Sequence, residues 1–369
     1  EAYFLIYNLY KLKSSKQNFV TAIDKKKISS INSKRNIYLI IVDDAVDLNE
    51  FEKVYKRNYS DKFLNTASKY GFKYIYGTKT AYPYSSNSIA SAFFMKYHLN
   101  EKNINDFPED LIYPKILAEP FIYKLPLIKY LDDIDYDFFW FGNATKNCEL
   151  YNQKLCHSNY LKNEKNILFS YNVILTFYKS SPFYSIENRI RNLFKSYKSV
   201  EDNFKKRSFE NNDSFKKFYK TNIKQDSKKF IFMHLMIPHE PFVYDSDCKF
   251  KKINTTYSPN DEHYGYKKNY ECMLKKLEEF FSYIYNNDNN ANIVITSDHG
   301  EYINKNNYKT SKYDTFTIVK FDKSCLINAE NTMNLPNAAR SLLSCSTDYN
   351  FKLLAKKSFF IDKGKKKKK

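Results

Sequence analysis

The sequence holds six cysteines (Cys148, Cys156, Cys248, Cys272, Cys325 and Cys345) but no C-x-x-C pair. That lack argues against a zinc ribbon and against a thioredoxin-like redox centre. No zinc-finger, helix-turn-helix or RNA-binding signature accompanies the basic balance of the chain, so nucleic acid is not expected as a partner. The apolar stretch Ala2 to Tyr10 (AYFLIYNLY) is too short to span a bilayer, and it carries no signal-peptide cleavage pattern. Internal repeats are absent. The chain opens at Glu1 rather than Met and reads as a fragment. On that reading Ala2 to Tyr10 is either the last turns of a cut transmembrane helix or an amphipathic N-terminal helix.

What is present fits a globular protein. The chain has 369 residues, enough for one large or two modest domains, and a hydrophobic fraction of 43%. The net charge of +19 comes mostly from lysine. Lys, Asn, Tyr, Ile and Phe are all abundant, as an AT-rich coding bias produces. An anionic membrane surface is the second source to consider. Cys148 and Cys156 bracket a short polar loop, which suits a disulfide in an oxidising compartment, with free buried thiols as the alternative.

Short apolar runs that end abruptly in polar residues dominate the pattern. Asn36 to Val42 (NIYLIIV) reads as a central buried strand and stops at Asp43-Asp44. Residues 48–70 have helical spacing, and Gly71 to Gly77 reads as a short strand. Tyr82-Pro83-Tyr84-Ser85-Ser86 suits a loop and a helix N-terminus, where outward N–H groups can hold phosphate or sulfate. Phe138 to Gly142 is an aromatic strand. The run from Lys229 to Ile237 ends at Pro238-His239-Glu240-Pro241, and Ala291 to Ser297 ends at Asp298-His299-Gly300-Glu301. A helix over 264–285, a late strand over 315–321 and a final helix from Asn337 complete the pattern. Strands alternating with helices predict an α/β fold, with a mainly parallel central sheet and helices on both faces. The expected organisation is a membrane-proximal segment and linker over 1–35, one large domain over 36–362 with a basic helical insertion at 157–228, and a disordered lysine tail over 363–369.

Four strand or loop ends therefore carry chemistry: Asp43, Ser85, His239, and Asp298 with His299. In open α/β sheets ligands bind at the carboxyl ends of strands. Carboxylates and an imidazole can hold a divalent cation, which lowers the pKa of a serine hydroxyl and neutralises charge on a phosphoryl group. Asp44 and Ser86 compete with Asp43 and Ser85, because a one-residue slip is easy, and Asp44 or Asp47 can serve as a helix cap. His234 falls on the opposite parity along its strand and reads as core.

These segments, in order, resemble the alkaline phosphatase-like sulfatase superfamily. The resemblance is carried by NIYLIIVD (Asn36 to Asp43), YPYSSNSIAS (Tyr82 to Ser91), FMHLMIPHEPF (Phe232 to Phe242), SDHGE (Ser297 to Glu301) and NLPNAARSLL (Asn334 to Leu343). Within it, the chain is most similar to membrane-anchored sulfatase-domain proteins akin to lipoteichoic acid synthases and phosphoethanolamine transferases. The resemblance implies an alkaline phosphatase-like fold. It makes Asp43, Asp298 and His299 metal ligands and Ser85 both nucleophile and fourth ligand. His239 then contacts the substrate phosphate, aids the leaving group or binds a second metal. The implied cofactor is a divalent metal, zinc or manganese first and magnesium as the alternative.

The activity implied is transfer of a phospho-head group from a phospholipid donor to a glycan or lipid acceptor, through a phospho-serine. The domain would be tethered to a membrane and work outside the cytoplasm. A sulfatase or phosphodiesterase using water at the same site is the first alternative, and a non-catalytic domain binding an anionic glycan is the second. Two departures stand out. The nucleophile position holds Ser where the transferases commonly carry Thr, and the C-x-P-S-R segment of formylglycine sulfatases is absent, which argues against sulfate-ester hydrolysis.

Overall fold

The structure, a computed structural model, describes residues 35–97, 125–142, 155–158, 214–221, 223–240, 242–250, 259–305, 308–322, 325, 333–347 and 349–359. The Ala2 to Tyr10 stretch, the lysine tail, Cys148 and most of the basic insertion lie outside these residues.

Strand β1 (Ile37–Val42) is the axis of the molecule. All six of its side chains are buried, because both faces of the sheet are covered. Tyr38, Ile40 and Val42 enter one core and Ile37, Leu39 and Ile41 the other, the period-2 alternation of a strand. Around β1 the sheet runs β2-β9-β6-β1-β5-β3-β4. Its strands are β2 (Lys73–Tyr74), β3 (Asp137–Gly142), β4 (Leu155–Ser158), β5 (Lys229–Leu235), β6 (Asn292–Ser297) and β9 (Thr317–Lys320). β1 pairs in parallel with β5 and β6, and β3 in parallel with β5 and β4. Only β9 runs antiparallel, to β6 and β2. A mainly parallel sheet covered on both faces is what the sequence predicts. The edge strand β4 is an addition, since its pairing runs two residues into the stretch read as an insertion from His157.

The first core lies under α1 (Leu48–Tyr55), α2 (Ser60–Lys69), α5 (Ser214–Lys220) and α6 (Pro259–Asn287). On α6 the buried residues Tyr266, Tyr270, Met273, Leu277, Phe280 and Ile284 recur every three or four positions, one stripe of a helix. The second core lies under α3 (Ser85–Phe94), α4 (Pro126–Asp133) and α7 (Leu335–Ser346). The continuous helical spacing over 48–70 is broken in two. Lys56 takes a left-handed conformation (φ 50°) that closes α1, and Asn58 Oδ1 then accepts from Asp61 N–H at 3.3 Å to start α2. Asp47 caps α1 by accepting from Asn49 N–H at 3.0 Å. α7 begins at Leu335, with Pro336 inside its first turn and Asn334 as cap.

Disulfides join Cys248 to Cys272 and Cys325 to Cys345. Among the described residues no helix is long and apolar enough to cross a membrane. A two-stranded ribbon, β7 (Asn304–Lys305) with β8 (Tyr308–Lys309), follows the end of β6.

Candidate metal centre

Register brings the chemistry together. Val42, the last residue of β1, lies opposite Leu235 of β5 and Ser297 of β6. The residues that follow, Asp43 and Asp298, therefore stand abreast at the carboxyl edge of the sheet. The Asp43 N–H bonds Leu235 O at 2.9 Å, and the His239 N–H bonds Asp43 O at 3.2 Å. α3 crosses the second face and presents Ser85, its first residue, to the same edge. Close backbone approach is needed twice. Gly142 has φ +116°, and a Cβ there would sit 2.2 Å from His234 O; one on Gly300 would sit 2.2 Å from Asp314 O.

Ser85 Oγ donates to Asp43 Oδ1 at 3.4 Å and lies 3.1 Å from His299 Nε2. His299 Nε2 is also 3.9 Å from Asp43 Oδ1 and 3.6 Å from Asp298 Oδ2. The other nitrogen of that ring, Nδ1, faces two acceptors: Asp44 Oδ1 at 2.6 Å and Gly300 O at 3.1 Å. Nδ1 must therefore carry a proton, which turns Nε2 toward Ser85 and the two carboxylates. Asp44 reaches this position with a left-handed backbone (φ 62°), and its N–H bonds Asp298 Oδ1 at 3.3 Å. Its second carboxylate oxygen lies 3.5 Å from His239 Nε2, at the half-exposed mouth of the site.

Asp43, Asp44 and Asp298 are 2, 5 and 0% exposed. Three buried carboxylates in contact are costly unless cations accompany them. Burial and the Asp298 charge push the Asp43 carboxyl up from its ordinary value. Burial acts the same way on Asp298, but the His299 and His234 imidazoles outweigh it and hold that carboxyl down. Burial would lower the His299 pKa; the charges of Asp298, Asp44 and Asp43 instead raise it to about 10. Burial likewise opposes protonation of His239, and Asp43 and Asp44 outweigh it, so its pKa is raised. Glu301 is pushed up to about 7 by burial and by the charge of Asp44.

The residues fit a cation. Asp298 Oδ2 and both ring nitrogens of His234 are buried without a hydrogen-bond partner. Ligand atoms of Asp43, Asp44 and His299 lie within 4.8 Å of one another, as do those of Asp43, His234 and Asp298. Carboxylates, imidazoles and a hydroxyl form a donor set that zinc or manganese accepts.

The structure thus brings Asp43, Ser85, Asp298 and His299 to one point, with His239 at its mouth. Ser86, the rival to Ser85, has a side chain outside the described set. His234 is buried, as its reading as core expects, but it also faces the site. It is 3% exposed, and its Nε2 lies 3.3 Å from Asp43 Oδ2. The signal was available across the sheet rather than along the strand. His234 pairs with Ile41, which lies two residues before Asp43 and so shares its face.

No protein-family model matches the chain, and no curated protein matches it. Its fold is similar to the C-terminal periplasmic domain of EcEptC from Escherichia coli, with a TM-score of 0.50 and 13% identity over 86% of this chain and 83% of that one. The same fold is alkaline phosphatase-like. The zinc complex of that domain is similar at TM-score 0.50 and 15% identity, over 87% of this chain and 85% of that one. The lipoteichoic acid synthase LtaP from Listeria monocytogenes matches with a TM-score of 0.41 and 10% identity, over 81% of this chain and 70% of that one. The alkaline phosphatase-like fold matches the expectation drawn from the five motif segments. It also fits the site's location at the carboxyl ends of parallel strands.

Proposed function

We propose that the chain is a divalent-metal-dependent transferase, moving a phospho-head group from a phospholipid donor to a hydroxyl of a glycan or lipid acceptor. One observation carries this reading. A serine hydroxyl at a helix N-terminus lies within 3.4 Å of both a buried carboxylate and an imidazole of a cation-fitting cluster. Zinc in the similar EcEptC domain supports zinc as the first metal to test. Asp43, Asp298, His299 and Ser85 would hold the ion. When bound, it supplies positive charge that favours the serine alkoxide and neutralises phosphoryl oxygens.

The chain's own groups do the rest. Ser85 Oγ, its proton directed at Asp43 Oδ1, forms a bond to phosphorus as the bond to the donor's alcohol oxygen breaks. His239, whose protonated form the neighbouring Asp43 and Asp44 charges favour, gives a proton to that leaving oxygen. The N–H groups at the start of α3 face the phosphoryl oxygens. An acceptor hydroxyl then forms a bond to phosphorus as the Ser85 Oγ–phosphorus bond breaks; the acceptor's proton goes to His239, and Ser85 Oγ recovers its own proton from Asp43. The two disulfides support an oxidising compartment outside the cytoplasm. The lysine-rich composition suits an anionic lipid surface.

The test uses the metal-loaded full chain and a phospholipid with a labelled head group. Wild-type protein should acquire label on Ser85 and pass it to an added sugar acceptor. Ser85→Ala should acquire none while binding metal. Unchanged turnover in Ser85→Ala ends the proposal. Release of the label to water alone, with acceptor present, turns it into a hydrolase.

A further inference from the structure

We propose that the segment Lys356 to Phe359 is a clasp on the loop that carries the nucleophile, and that Phe359 is a positioning residue for Ser85. The second half of this statement rests on the reading of Ser85 given above; the first does not.

Tyr82 lies three residues before Ser85 and is fully buried, yet it belongs to neither core. It sits in a small separate cluster with Ala81 and Phe359, flanked by Tyr97. The Phe359 ring stacks on Tyr82 (centroids 5.4 Å apart, 17° between planes) and meets Tyr97 edge-on at 5.4 Å. Polar contacts follow the same line. Phe359 N–H bonds Ala81 O, Ser358 Oγ bonds Thr80 O and Lys356 Nζ bonds Gly77 O, each at 2.8 Å. The loop's other side is tied to the chain beyond β8. Thr80 N–H bonds Tyr313 O at 2.9 Å, and Thr315 N–H bonds Thr78 O at 3.1 Å. Tyr313 OH closes the ring by donating to Phe359 O at 3.0 Å.

From the clasp the constraint passes to the helix. Ser88 Oγ donates to Tyr82 O at 2.7 Å and lies 2.9 Å from Thr80 Oγ1, so residues on both sides of Ser85 are fixed to each other. The position of Ser85 thus depends on Tyr82, and Tyr82 is covered by Phe359. The segment 312–314 that the clasp also touches packs on Gly300, next to His299. Nucleophile loop and metal-side turn are therefore set by one structure. Misplacing a reacting atom by about 1 Å can reduce rate on the order of a hundredfold.

Amide hydrogen exchange of the full chain tests the clasp without any substrate. Phe359→Ala should speed exchange roughly tenfold over residues 77–88 and leave β1 and β6 unchanged. Phe359→Tyr, which keeps the ring, should behave as wild type. Phe351→Ala is the control: Phe351 is equally buried (7% exposed, like Phe359) but lies in the second core. It should lower Tm and leave residues 77–88 protected. A second arm follows turnover of bis-p-nitrophenyl phosphate by metal-loaded protein. There Phe359→Ala should lower kcat roughly tenfold at unchanged KM and metal content. Wild-type exchange over 77–88 in Phe359→Ala, or an equal rise in Phe351→Ala, overturns the clasp. Faster exchange over 77–88 with unchanged kcat keeps the clasp and overturns the positioning role. No turnover by wild type overturns the reading of Ser85, and with it that role, while the exchange result still decides the clasp.

Discussion

Asp44 Oδ1 lies 2.6 Å from His299 Nδ1, joining the end of β1 to the end of β6. With Gly300 O, which accepts from the same nitrogen at 3.1 Å, this ion pair keeps a proton on Nδ1 of the imidazole whose other nitrogen faces Ser85. A carboxylate behind a metal-binding histidine typically changes affinity by about 10–100-fold. Asp44→Asn is the informative substitution, because Asn tolerates the left-handed backbone (φ 62°) that Asp44 occupies. The variant should fold normally, bind zinc with affinity reduced within that range, and keep the same stoichiometry. Competition with a chelator measures this. A loss of stoichiometry would instead make Asp44 a ligand itself.

The His299 pKa of about 10 gives metal binding a pH dependence. Below that value, Nε2 holds a proton that must leave before the nitrogen can serve as a ligand. Zinc affinity should therefore rise roughly tenfold per pH unit between about pH 7 and 9, with one proton released per ion. The metal-free protein should show the opposite trend in stability. A histidine whose folded pKa is raised contributes stability fully below its unfolded value of about 6.5, and that contribution is lost as pH rises through about 10. Calorimetric zinc titrations in buffers of different ionisation enthalpy count the proton. A pH-independent affinity would show that His299 does not bind the ion through Nε2.

The order of strands β1, β5 and β6 in the chemistry was legible because each is a continuous apolar run stopped by polar residues. Such runs specify strands buried on both faces, and their ends specify where a ligand binds. What remained hidden was set by relations across the sheet. His234 reads as core, and it is buried, but counting parity along β5 toward His239 hides its approach to Asp43. Its partner is Asp43, on a neighbouring strand and the same face. The support Asp44 gives to His299 depends on a positive φ that an Asp-Asp pair does not announce. The clasp residues Lys356 to Phe359 have no periodicity at all. Their place comes from contacts far away in the chain: the Phe359 ring on Tyr82, Ser358 Oγ on Thr80 O and Lys356 Nζ on Gly77 O.

The disulfides make a separate prediction about compartment. Cys248–Cys272 and Cys325–Cys345 close loops of 24 and 20 residues. Chain-entropy reasoning assigns roughly 3 kcal/mol to each. Reductant should lower the Tm of the purified chain by several degrees, and Cys272→Ser should reproduce part of the loss. An unchanged Tm in excess reductant would mean that the pairs do not form, and would remove the support they lend to a location outside the cytoplasm.

His239 separates proton donation from metal binding. Its Nε2 lies 3.5 Å from Asp44 Oδ2 and its side chain is 36% exposed, so an incoming ester can reach it. Its Nδ1 donates to Glu240 O at 2.6 Å, which leaves Nε2 as the nitrogen that delivers a proton. Burial opposes protonation of this ring, but the Asp43 and Asp44 charges outweigh it and raise the pKa, which favours the protonated form. His239→Ala should therefore retain zinc and lose about 10²–10⁴ in kcat on a lipid donor, whose alkoxide is a poor leaving group. On bis-p-nitrophenyl phosphate, whose leaving group departs without a proton, the loss should shrink to within about tenfold. An equal loss on both substrates would assign His239 to binding the phosphoryl group. A loss of zinc would assign it to the metal.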